Sequence, residues 1–129
     1  MILTHELKAI DNFVASYLAT AEWVTVDGKS RGFTKASKQI ARKDCLEFMK
    51  MIVENFTASE VVAILTYQGD DLSSLAGHDF FLTRNRHGAG FWDKDIYNEL
   101  AENGCDKLTE LAMLCGTADA FQYKGYLYF

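Results

Sequence analysis

The segment Gly77–Asp93, GHDFFLTRNRHGAGFWD, decides how the rest of the chain is read. Its seventeen residues hold two histidines, two arginines, three glycines, four large aromatics and two aspartates. HDFFLTR reads as a strand, NRHG as a turn and AGFWD as a returning strand. On that reading Phe80 and Phe81, and Phe91 and Trp92, fall on alternate faces of a hairpin. The C-terminal half then contains sheet.

Outward from this segment the pattern changes period. Towards the N-terminus, Leu7, Ile10, Phe13, Val14, Tyr17 and Leu18 recur at three and four residues after Thr4, an expected N-cap. They predict an amphipathic helix of roughly four turns. TVDGKSRGF reads as a loop with Asp27–Gly28 as turn chemistry. A second helix is expected from Thr34 or Ser37 to about Asn55, with Ile40, Ala41, Cys45, Phe48, Met49, Ile52 and Phe56 inward. Thr57 and Glu60 have the spacing of a capping box, ahead of VVAIL, which suits either a helix or a buried strand. LSSLA reads as one helical turn closed by Gly77. After the segment, Asp95–Leu114 reads as a helix weakened at Gly104, with a start near Cys105 as the alternative. The tail DAFQYKGYLYF predicts a second hairpin turning at Lys124–Gly125. The expected class is α+β: N-terminal helices packed on a small antiparallel sheet made of two C-terminal hairpins around a helix. At 129 residues this is a single domain spanning 1–129.

Composition narrows the function classes. Aromatics are plentiful, with nine Phe, six Tyr and two Trp, so a packed core rather than disorder is expected. No run approaches the roughly 20 apolar residues a membrane span needs. The opening MILTHELKAID lacks the basic-then-apolar pattern of a signal peptide. Cys45, Cys105 and Cys115 are odd in number and sit in helical contexts, which suits buried thiols in a reducing cytoplasm. Net charge is −5 but uneven: residues 29–50 carry +5, and residues 51–129 carry −7. The basic stretch KSRGFTKASKQIARK is able to attract phosphates, though a solvated helix face that offsets acidic surfaces elsewhere is the favoured reading.

Within the dense segment, Arg84, Asn85, Arg86 and His87 stand beside Gly88 and Gly90. Guanidinium forks suit phosphate or carboxylate, and glycines allow close backbone approach. Trp92 offers a stacking surface. His78, Asp79 and Asp93 would converge with His87 if the hairpin pairs its ends. The competing reading makes the aromatics core and the charges surface bridges of little energetic worth. No nucleophile elbow, phosphate loop, HExxH or CxxC motif is present, and no metal site or cofactor is expected.

The run AGHDFFLTRNRHGAGFWD, with GCDKLTELAMLCG and the YKGYLYF tail after it, resembles a family of small uncharacterised bacteriophage-encoded proteins. The shared motif falls on Gly77, His78, Asp79 and Phe80, then Leu82 to Asn85, then His87 to Asp93. Phe81 stands where the family commonly has Trp, which keeps the aromatic character. The resemblance covers about the C-terminal half. It implies a phage accessory protein in the bacterial cytoplasm, of a class that often counteracts host defences, and it implies no particular activity.

These residues lead to a binding protein that takes an anionic ligand through the 84–92 hairpin. The ligand would be a nucleotide, a nucleotide signal or nucleic acid. A second reading is an inhibitor of a host enzyme that presents an acidic surface from Asp93, Asp95, Glu99, Glu102, Asp106 and Glu110. A third is a metal-dependent hydrolase or nuclease using His78, Asp79, His87 and Asp93. A homodimer is compatible with so aromatic a small domain.

Overall fold

A computed structural model describes residues 4–129. It contains α1 (Thr4–Thr25), α2 (Lys35–Asn55), α3 (Ala58–Thr66), α4 (Leu75–Arg84), a 3-10 turn at Phe91–Asp93, α5 (Ile96–Leu100), α6 (Gly104–Leu114), β1 (Phe121–Tyr123) and β2 (Tyr126–Tyr128). The α+β class holds, with one hairpin rather than two.

The first expected hairpin is instead a helix followed by a loop and a 3-10 turn. Ser74 starts α4 by accepting from the Gly77 amide at 3.1 Å. Its own amide donates to Ser16 Oγ at 2.8 Å, which ties the start of α4 to α1. The strand reading failed because α4 is buried on nearly every side, at Ala76, Gly77 and Asp79 to Asn85. A helix buried all round loses the three-and-four pattern, and its adjacent phenylalanines then mimic a two-faced strand. Gly77 does not close a helix; it lies inside one. It is glycine because α1 crosses there, and a Cβ would run into the Phe13 carbonyl.

The other expectations fare better. Thr34 caps α2 through the Ser37 amide, and Thr57 with Glu60 forms the full capping box, which makes VVAIL helical. The first helix runs to 22 residues rather than four turns, and the expected capping by Thr4 lies outside the described side chains. Leu7 and Ile40 are exposed, against expectation. Gly104 does begin a separate helix: α5 stops at Leu100, and α6 opens at Gly104. Lys124 and Gly125 both take positive φ, at 50° and 86°, as a two-residue hairpin turn requires.

The core is an aromatic stack centred on α4. Phe80 lies flat on Phe48 of α2, with centroids 4.0 Å apart and planes 2° apart. Tyr17 and Phe13 of α1 pack on Phe80 from one side, and Phe91 continues the stack from Phe48 to Tyr97 of α5. Cys45 and Cys105 are buried free thiols, and Cys115 is half-buried and free.

Because Gly77 sets how closely α1 and α4 approach, Gly77→Ala should destabilise the fold by about 3 kcal/mol through overpacking against backbone. The gain in helix propensity, about 1 kcal/mol, is too small to offset it. Urea unfolding of the two proteins measures the difference, and an unchanged midpoint would refute the close-crossing account.

Candidate functional site

Most of the dense segment is used to hold the molecule together. Arg84 is 5% exposed. Its Nε donates to the Gly116 carbonyl at 2.8 Å and one terminal nitrogen to the Cys115 carbonyl at 3.0 Å. The other terminal nitrogen donates to Asp44 at 2.8 Å and to the Tyr17 hydroxyl at 3.2 Å. Four of the five donors of a guanidinium are thus occupied by α1, α2 and the end of α6. Arg84 therefore does not offer itself to an anion, which corrects the expectation for that residue. Asn85 completes the same grip: it donates to the Phe81 carbonyl at 3.1 Å and accepts from the Ala118 amide at 2.7 Å.

Asp79 is wholly buried and accepts from Lys94 Nζ and from the Tyr97 hydroxyl, each at 2.6 Å. Burial raises its pKa, even though Lys94 and Tyr97 pull it the other way. Asp93 Oδ1 accepts from the Gly90 amide at 3.0 Å, and Thr83 Oγ1 accepts from the Phe91 amide at 3.0 Å. His78 Nδ1 lies 2.7 Å from Thr20 Oγ1, its ring faces Trp23, and burial lowers its pKa. His87 stacks on Phe81 and pairs with Asp119 at 2.9 Å.

Asp79 and Asp93 share Lys94, at 2.6 and 3.8 Å, while His78 turns to Thr20 and His87 to Asp119, so the four do not converge as the metal reading required. Among the described residues no group of three His, Cys, Asp or Glu side chains is placed to hold a metal ion. Arg86 and Trp92 remain on the surface. The six carboxylates of the acidic stretch, Asp93 to Glu110, are all exposed as well.

A different surface gathers binding groups that the sequence reading kept apart. In the tail hairpin Phe121 pairs with Tyr128, Gln122 with Leu127, and Tyr123 with Tyr126. Paired residues share a face, and alternate residues share it too. Phe121, Tyr123, Tyr126 and Tyr128 thus form one face, while Leu127 is buried on the other. Phe121, Tyr123 and Tyr126 are 54%, 58% and 39% exposed. Phe121 and Tyr128 stack at 5.4 Å with planes 16° apart.

The loop that carries Lys29 and Arg31 is stitched to this hairpin. The Arg31 amide donates to the Gly125 carbonyl at 2.7 Å, the Leu127 amide to the Gly32 carbonyl at 2.9 Å, and Gln122 to the Lys29 carbonyl at 3.0 Å. Phe33 bridges Leu127 in parallel and stacks on Phe129, which packs on Tyr17. The Arg31 guanidinium consequently lies over the Tyr126 ring at 5.7 Å, and the Lys124 ammonium over the Tyr123 ring at 5.4 Å. Among the described residues no ion pair uses Lys29, Arg31 or Lys124.

The aromatic half of this surface was legible as the alternation Phe-x-Tyr and Tyr-x-Tyr about Lys124–Gly125. Its union with residues 29–31 is a tertiary fact that no local pattern carries. No protein-family model, curated protein or solved structure matches the chain, so the reading of its surfaces rests on geometry.

Arg84→Ala should cost about 3–5 kcal/mol of stability, because it strands two carbonyls and the Asp44 carboxylate. Arg84→Lys should recover little of this, since an ammonium lacks the planar fork. Equilibrium urea unfolding tests both, and a full-stability Arg84→Ala would refute the clamp.

The raised pKa of Asp79 also has a sign. A carboxyl whose folded pKa exceeds its unfolded value contributes most at low pH. Stability should therefore decline as pH rises from about 4 through the folded pKa. Asp79→Asn should flatten that part of the urea-midpoint-against-pH curve; an unaltered slope would assign it to another group.

Proposed function

We propose that the chain is an accessory protein of the phage type that binds an anionic ligand, a nucleotide or nucleic acid, at the cationic cluster Lys29, Arg31 and Lys124. The observation that supports it is that the loop bearing Lys29 and Arg31 is tied to the hairpin that bears Lys124, through backbone bonds at Arg31 and Gly32 and the Gln122 side chain at Lys29, and that among the described residues these three exposed cations have no carboxylate partners, in a chain of net charge −5. Acidic side chains are abundant enough to pair them, so unpaired clustering is what an external anion needs. The expected 84–92 site contributes less, because Arg84 is committed to the interior. Arg86 is then an outlying cation rather than half of a clamp. Among the described residues His78, Asp79, His87 and Asp93 do not gather at one point, and we do not carry the hydrolase reading forward. A role against host defence fits a small polyanion binder, since nucleic acids and nucleotide signals are what such defences handle.

Fluorescence anisotropy with labelled single-stranded and duplex oligonucleotides tests the proposal. Affinity should fall as salt rises, with a log–log slope of about −2 for single strands if three phosphates are neutralised. The combined Lys29→Gln, Arg31→Gln and Lys124→Gln protein should bind at least about tenfold more weakly and with a flatter slope. If the parent binds no oligonucleotide or nucleotide at low salt, the proposal fails, and the exposed acidic stretch becomes the surface to pursue with protein partners.

A further inference from the structure

We infer that the ligand of this surface is single-stranded nucleic acid, held by stacking of its bases on the aromatic face of the tail hairpin. The inference rests on the polyanion reading above and adds to it the identity of the strand. Its basis is the register: Phe121, Tyr123, Tyr126 and Tyr128 project from one side of the ribbon, in two cross-strand pairs. Three of these rings keep a third or more of their surface in water. The opposite side is spent on the core, through Leu127, and through Phe129 against Tyr17. The ribbon is therefore held from behind and presents its rings outward.

A duplex offers such a surface phosphates and groove edges, because its bases are already stacked on one another. An unpaired strand offers π-faces, and stacking on protein aromatics is tolerant of base identity for that reason. The two ring pairs lie about 7 Å apart along the ribbon, twice the strand rise. That is room for two neighbouring bases, one on Phe121 and Tyr128 and one on Tyr123 and Tyr126. Arg31 and Lys124 lie over the second pair at the turn end, whereas the Lys29 carbonyl is held by Gln122 on the other face of the ribbon. An exposed cation–π contact is weak enough for the cation to leave it for a phosphate, or to keep it and sandwich a base. Two cations thus border the ring face at its turn end, where the phosphates beside a stacked base would lie. An acidic peptide would use the cations and leave the rings idle.

Binding of a labelled oligothymidylate of about twelve nucleotides should be measured against a duplex of the same length, using the full chain. The strand should bind at least about tenfold more tightly than the duplex. Phe121→Thr and Tyr123→Thr exchange exposed rings for a strand-favouring residue, and circular dichroism checks that each folds. Each should weaken strand binding about tenfold and leave duplex binding and the salt slope unchanged. As a readout that needs no substitution, ultraviolet cross-linking of a bromouridine-substituted strand to the unaltered protein should label Phe121, Tyr123 or Tyr126. Equal affinity for strand and duplex, ring variants that bind the strand undiminished, or cross-links confined to other segments would each overturn the inference. Those results would leave the polyanion reading standing. Loss of all binding, duplex included, in the parent chain would overturn both.

Discussion

The Arg84 guanidinium is the interaction on which the rest of the structure depends. It stands at the C-terminal end of α4, where the last carbonyls of α6 arrive, and it bonds to α1 and α2 as well. One side chain thereby fixes four helices at a common point. It is also a demanding solution, because a buried charge is tolerated only when its donors are filled and an anion is close. Asp44 supplies the anion, and the Cys115 and Gly116 carbonyls supply acceptors that a helix end would otherwise leave unmet. The clamp thus answers two needs with the same bonds.

Around that clamp the polar residues of the central helix behave alike. Asp79, Thr83 and Asn85 are buried, and each meets a specific partner on another segment. Among the described residues no buried side-chain nitrogen or oxygen lacks a hydrogen bond. A motif so dense in binding groups therefore has an inward explanation. It specifies one packing of α4 among its neighbours, and the face that meets other molecules is left to segments with weaker signatures.

How far the sequence disclosed this depends on the kind of signal. The capping box at Thr57, the break at Gly104 and the turn at Lys124–Gly125 were readable, because each is settled by chemistry within four residues. The nature of residues 78–84 was not, because burial on every side erases the amphipathic period that would have marked a helix. Arg84 looked like an anion fork because its chemistry is that of one; only the tertiary fold shows that the acceptors come from this same chain. The aromatic alternation of the tail was visible as a hairpin with Lys124 at its turn, but Lys29 and Arg31 come from a loop near the other end of the sequence.

That last feature has a kinetic side. The Gln122 amide reaches a carbonyl 93 residues earlier in the chain. Closing so long a loop costs entropy before any contact repays it, so this corner should be among the last to form during folding. Its few backbone bonds should also be among the first to open in the native protein. The helical core can then persist while the corner opens and closes, and anything seated across the corner would slow its opening.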